Sequence, residues 1–231
     1  MKRVLSIGFF ILGASLLMSL CVWQVYRAQW KDGVIEKLDI EYAKDPFERK
    51  LEHVDFAVGE IHSGYIQGRF VSDMPLFWPK TKDGSLGFYV MYLFAMEEGF
   101  TVLVNVGWVY EDSRTHMPLE TLEVSGTELI KIGGIARAYD AGRWSLTNNP
   151  EKNRWYKYDT KQLSDYVATE NELLEAVLFA KQVWPEGSVQ LGDVYGAEIY
   201  PRDTHYQYAL FWFIMFAIWV AMMGCVIVKR R

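Results

Sequence analysis

Val4–Tyr26 (VLSIGFFILGASLLMSLCVWQVY) carries no charged residue across 23 positions, and Tyr208–Val228 (YALFWFIMFAIWVAMMGCVIV) carries none across 21. A helix needs about 20 predominantly apolar residues to cross the hydrocarbon core of a bilayer. Both runs are long enough, and both exceed what an ordinary buried helix requires. The chain is therefore expected to hold two transmembrane helices, one near each end. A signal peptide also starts with a basic stretch, as Met1-Lys2-Arg3 does here. Its apolar core is only about 7–15 residues long, however, and a small-residue cleavage site follows it. Met18-Ser19-Leu20-Cys21 approximates a lipoprotein box, but Leu20 is bulky where a small residue belongs. An uncleaved anchor is the reading these residues favour.

Lys2 and Arg3 flank the first run, and Lys229, Arg230 and Arg231 close the second. The positive-inside rule places both termini in the cytoplasm. No Arg-rich amphipathic segment precedes the first run, which points to a bacterial inner membrane rather than to organelle import. The expected organisation is a cytoplasmic tail at 1–3, a transmembrane helix at 4–26, a periplasmic domain at 27–207, a second helix at 208–228 and a tail at 229–231. All 29 acidic residues lie in the central segment and five of the 24 basic ones do not, a formal balance of −10 there. So acidic a surface argues against nucleic acid as a partner. The two cysteines, Cys21 and Cys225, fall near opposite faces of the membrane, on the order of 20 Å apart in depth and beyond disulfide reach. The central domain must be stable without crosslinks.

The segment 29–44 (QWKDGVIEKLDIEYAK) is helix-compatible, with Leu38 and Tyr42 four apart, and Gly33 is expected to interrupt it. After Asp45-Pro46 the pattern changes to short β-branched and aromatic runs between turn signals. Strands are expected near Glu60–Phe70, Gly87–Met96, Thr101–Tyr110, Glu120–Arg137 and Val189–Tyr200. The second and third of these form a hairpin through the loop holding Gly99. A helix is expected at Gln162–Ala168 behind Asp159 as N-cap. ELLEAVLFAKQVW, residues 172–184, fits either a helix or a buried strand. The fold class is α+β: two membrane helices flanking a mostly antiparallel β domain with minor helix.

No nucleophile elbow, HExxH, phosphate loop or CxxC occurs, so catalytic residues are not expected and the chain does not read as an enzyme. Gly84-Ser85-Leu86-Gly87 reads as a turn. His53 and His62 lack a third ligand at metal spacing and read as surface residues, and His116 reads as a loop residue. His205 differs, because a titratable group at the lip of a membrane helix is costly. His205, Tyr208, Ala209 and Trp212 fall at i, i+3, i+4 and i+7, on one helical stripe. Trp23, Arg27 and Lys31 recur every fourth residue at the matching depth of the first helix. Interfacial aromatics and snorkelling cations produce the same picture without any ligand. The small-x-x-x-small pairs Ser15/Ser19 and Ala217/Ala221 suggest that the helices can pack.

Several of these residues resemble the motifs of one family. Val22-Trp23-Gln24-x-x-Arg27-x-x-x-Lys31 is similar to its N-terminal signature, and Gly68-Arg69-Phe70 to its G-x-F strand. Val102-Leu103-Val104-Asn105-Val106-Gly107-Trp108-Val109 resembles its central LVNRGWV strand. Asn149-Pro150 with Trp155-Tyr156-x-x-Asp159 resembles its N-x-P…W-x-x-x-D stretch, and His205-x-x-Tyr208-Ala209-x-x-Trp212 the opening of its second helix. The family is the surfeit locus protein 1 (Surf/Shy) family of cytochrome oxidase assembly factors. The resemblance implies a respiratory-chain role: delivering or holding haem a for the catalytic subunit of a haem–copper oxidase, alongside the haem a synthesis machinery. It also implies His205 as haem iron ligand. Tyr208, Trp212 and Trp23 would then form an aromatic rim, with Arg27 or Lys31 pairing with haem propionates. The alternative is a membrane-tethered interaction module that chaperones a membrane partner without haem. Three departures stand out: Val106 where the family carries Arg, Phe211 where it carries Thr, and Met91-Tyr92-Leu93 in place of a Pro-Leu. Loss of the arginine is expected to change the outer surface offered to a partner.

Overall fold

A computed structural model of the chain describes residues 2–56, 60–72, 74–82, 84–112, 129–138, 146–186 and 204–228. Two compact units are present, one from Met1–Leu38 with Tyr200–Arg231 and one from Asp39–Ile199.

The first unit is a pair of helices, α1 (Lys2–Ala43) and α3 (His205–Val228). Both are long and apolar enough to cross a membrane. Gly33 does not interrupt α1, contrary to the sequence expectation. A single glycine costs a helix only about 1 kcal/mol against alanine, and Arg27, Ala28, Gln29 and Lys31 before it and Glu36, Lys37 and Leu38 after it are good helix formers.

The second unit is built on six strands: β1 (Ile61–Phe70), β2 (Leu76–Pro79), β3 (Gly87–Met96), β4 (Phe100–Tyr110), β5 (Ile130–Ala138) and β6 (Glu172–Trp184). Their order is β1-β5-β6-β4-β3-β2, and β1 also pairs with β3. That extra pairing closes the sheet into a barrel. β2 pairs with the first half of β3 and the end of β1 with its second half, so β1 and β2 together line one edge of β3. Gly68 sits where β1 passes from β5 to β3, pairing with both Ile130 and Met96. A Cβ there would stand 1.9 Å from the Ala95 carbonyl oxygen, so only glycine allows the sheet to close. All pairings are antiparallel except β4 with β6. The β3–β4 hairpin turns at Gly99, whose φ of +89° suits glycine.

Alternation along the strands sorts side chains onto two faces. Phe88, Val90, Tyr92 and Phe94 of β3 meet Val102, Val104 and Val106 of β4 in the interior cluster, with Ile66, Ile132 and Leu178. Met91, Leu93, Leu103 and Val177 point outward and are covered by Trp78, Trp155 and Leu163. Leu163 comes from the helix α2 (Thr160–Val167), capped by Asp159, whose carboxylate accepts from Gln162 N–H at 3.0 Å.

The expected strands at 60–70, 87–96 and 101–110 are present. The expected 120–137 strand is seen as β5 from Ile130, and its earlier part lies outside the described residues, as does the expected 189–200 strand. The 172–184 segment is a strand, its backbone paired with β4 on one edge and β5 on the other. Sequence reading missed β2: four residues, one of them proline, offer no period to detect.

Candidate functional site

The shielded residues of α3 include His205, Ala209, Trp212, Phe216, Trp219, Met223 and Val226. Those of α1 include Phe10, Ala14, Leu17, Cys21, Gln24, Ala28 and Lys31. Both series advance by alternating steps of four and three, the spacing of a left-handed helix seam. Near one end, Trp219 Nε1 donates to the Phe10 carbonyl at 2.9 Å, and its ring lies 5.3 Å from that of Phe10. Gly13 makes room for that indole, since a Cβ there would stand 2.6 Å from it. Toward the other end, His205 Nδ1 lies 2.7 Å from Gln24 Oε1. Tyr206 Oη donates to Asp32 Oδ2 at 2.6 Å just beyond. His205 and Trp219 are fourteen residues apart, about 21 Å along the axis, so polar clamps hold both ends of the seam.

Gln24 Oε1 can only accept, so this contact is made with Nδ1 as the donor. Gln24 is 8% exposed, and Ala28 (0%) and Ala209 (6%), one turn along from Gln24 and His205, are buried as well. The arrangement matches the way proteins orient metal-ligating histidines, in which one ring nitrogen donates to an acceptor and the other is the ligand. Sequence reading quoted Gln24 within a motif but assigned it no role. A glutamine in a membrane helix was the available signal, since buried amides need a partner.

The expected site residues are distributed over two faces. His205, Trp212 and Lys31 lie on the shielded stripe. Tyr208 and Trp23, 54% and 53% exposed, lie off it. Arg27 is exposed, and its guanidinium sits 4.7 Å from the Trp30 ring centroid. Ser15, Ser19, Ala217 and Ala221 are all exposed, so the small-residue pairs do not make the helix contact. Gly13, Ala28 and Ala209 provide the close approach instead, because they fall on the seam and those pairs do not. Cys21 and Cys225 are both free thiols.

The remaining histidines stand elsewhere. His53 stacks on Phe100 at 4.8 Å, and His62 Nε2 lies 2.6 Å from Glu60 Oε2. His116 lies outside the described residues. Among the described residues no three of His, Cys, Asp and Glu gather as a metal cluster. Val106 corrects one expectation. It is 5% exposed inside the barrel, so the departure from arginine repacks a core instead of altering a surface. Phe211 is 51% exposed on α3, with its ring 5.2 Å from that of Trp212.

The Asn149–Asp159 stretch is a structural clamp. Trp155 is fully buried, stacks on Trp78 at 6.0 Å, donates Nε1–H to Asn153 Oδ1 at 2.9 Å and sends its backbone N–H to Phe77 O. Asn148 Oδ1 accepts from the N–H groups of Tyr156 and Lys157. These contacts pin the segment along β2.

Comparison with known proteins agrees with this layout. The chain is 26% identical over 181 residues to a "SURF1-like protein" of Dictyostelium discoideum, covering 64% of this chain and 67% of that one. It is 26% identical over 213 residues to a "SURF1-like protein" of Monosiga brevicollis, covering 87% and 79%. Against "Surfeit locus protein 1" of Homo sapiens it is 24% identical over 209 residues, covering 83% and 67%. The SURF1 family model matches residues 11–217, reaching from the first helix into the last. With most of the first helix, the start of the last and the whole β domain inside that match, the chain belongs to the SURF1 family.

Proposed function

We propose that this chain is an assembly factor for a haem–copper terminal oxidase, and that it holds haem a transiently at His205 before the haem reaches the catalytic subunit. The supporting observation is the His205–Gln24 contact, which orients the imidazole at the head of a membrane helix. A single oriented imidazole suits haem, whose porphyrin supplies the other iron ligands, whereas a bare metal ion needs several protein ligands. Trp212 on the same stripe offers an aromatic face. Lys31, on the stripe of Gln24 and Ala28, and Arg27 beside it carry cations for the propionates. Holding and handing over a cofactor requires no catalytic step from the chain itself. The setting is a bacterial inner membrane, with both termini cytoplasmic and the β domain periplasmic.

The test is a strain lacking the gene. Its membranes are expected to hold little haem a-containing oxidase, restored by the wild-type chain but not by His205→Ala. Normal oxidase in the deletion strain would remove the assembly reading. Full rescue by His205→Ala would leave a tethered interaction module that works without haem.

A further inference from the structure

The outer face of the barrel carries a concavity of about 290 Å³, lined by residues of β2, β3, β5 and β6 together with Lys80 and Tyr156. Its lining is unusual in its polarity. Arg137 and Lys80 contribute two cations, and among the described residues none of the lining is acidic. Among the described residues neither side chain has an ion-pair or hydrogen-bond partner. The phenol groups of Tyr89 and Tyr156 likewise have no hydrogen-bond partner among the described residues. The walls are otherwise flat and apolar: Trp78, Tyr89 and Phe179, with Met91 and Val177. Beneath them lies Asn105, which pairs across the sheet with Met91 and Phe179, both part of the lining. Asn105 is fully buried, and its Nδ2 has no hydrogen-bond partner. Buried amide donors are nearly always satisfied, so an orphan directly under the cleft is informative.

Unpaired donors and cations around aromatic walls, with no carboxylate among the described lining residues to neutralise them, define what fits. A guanidinium binds a carboxylate through two parallel hydrogen bonds, and aromatic walls take a flat ring. The volume is near the lower end of the ~300–1,000 Å³ usual for ligand pockets, which suits a molecule of one or two fused rings. We propose that this cleft binds a small aromatic carboxylate, with the anion on Arg137 and Lys80 and the ring between Trp78, Tyr89 and Phe179. The site is made of β-domain residues alone and is independent of the haem proposal.

The probe is indole-3-acetate, titrated calorimetrically into the full chain in nanodiscs, with empty nanodiscs subtracted. Indole-3-ethanol and acetate serve as the uncharged and ring-free controls. Saturable binding of indole-3-acetate is expected, with each control at least about tenfold weaker. Arg137→Gln should weaken binding about tenfold or more, with Arg137→Lys recovering part of it. The exposed Lys80→Gln should weaken it a few-fold without changing the unfolding temperature. No saturable binding overturns the proposal, and so does equal binding of indole-3-ethanol. Equal binding of acetate, or an Arg137→Gln variant that is folded and binds as wild type, does so as well.

Discussion

Gln24 and His205 are 181 positions apart in sequence and 2.7 Å apart in space. The amide does two things: it joins the two helices and it orients the imidazole. Outer partners of a metal-binding histidine typically contribute 10–100-fold in affinity. Gln24→Leu is therefore expected to weaken haem binding by about that factor, measured by spectrophotometric titration, while leaving His205 in place. Unchanged affinity would detach the amide from the site. His205 could be singled out from sequence because a histidine is rare at a helix lip. Its partner could not, because one helix sequence does not specify which face meets the other. A second residue-scale expectation concerns Tyr158. Burial, followed by the charge of Glu175, raises its phenol well above the ordinary value, against a backbone N–H from Ala176 that lowers it. The folded state therefore keeps the proton after the unfolded chain, near pH 10, has begun to lose it. Its contribution to stability is full below about pH 10 and declines as pH rises further. Unfolding midpoints at pH 9 and 11 should fall less in Tyr158→Phe than in wild type.

Among the elements, the helix pair depends on a few small residues. A side chain at Gly13 would displace the Trp219 ring, and overpacking of this kind typically costs about 1–3 kcal/mol. Gly13→Leu should therefore lower the unfolding temperature of the chain in detergent, and Gly13→Leu with Trp219→Ala should regain part of the loss. If the single substitution leaves that temperature unchanged, the indole does not pack at Gly13. The seam was invisible in the sequence because both faces of a lipid-embedded helix are apolar, so hydrophobic period carries no signal there. In the β domain, by contrast, β3 and β4 were legible to within a residue, since apolar runs bounded by glycine turns have few alternatives. The 172–184 strand was ambiguous for a physical reason: in its middle Ala176 and Leu178 are buried in the interior and Val177 beneath the outer cover, so three apolar residues run together and no period shows. The Trp155 clamp was visible only as a motif, and its structural role emerged from the contacts with Trp78 and Phe77. Trp155→Ala is expected to cost about 3–5 kcal/mol, read from chemical unfolding of the full chain. A loss below 1 kcal/mol would show that the segment is held by other means.

For the whole molecule, the sequence predicted two apolar helices around a mostly antiparallel domain, and both features are present. Closure of that sheet into a barrel was not legible, because it depends on one strand changing partners at Gly68. The consequence for Val106 shows why closure matters: the same residue reads as surface on an open sheet and as core inside a barrel. The site at His205 rests on the helix unit, and the cationic cleft at Arg137 rests on the barrel, so the two can be tested separately. The most direct test of the haem role is the absorption spectrum of the chain purified from cells that make haem a. The expected result is bound haem in wild type, loss of it in His205→Ala, and reduced occupancy in Gln24→Leu. A haem-free wild-type protein, or a His205→Ala variant with the wild-type spectrum, would contradict it.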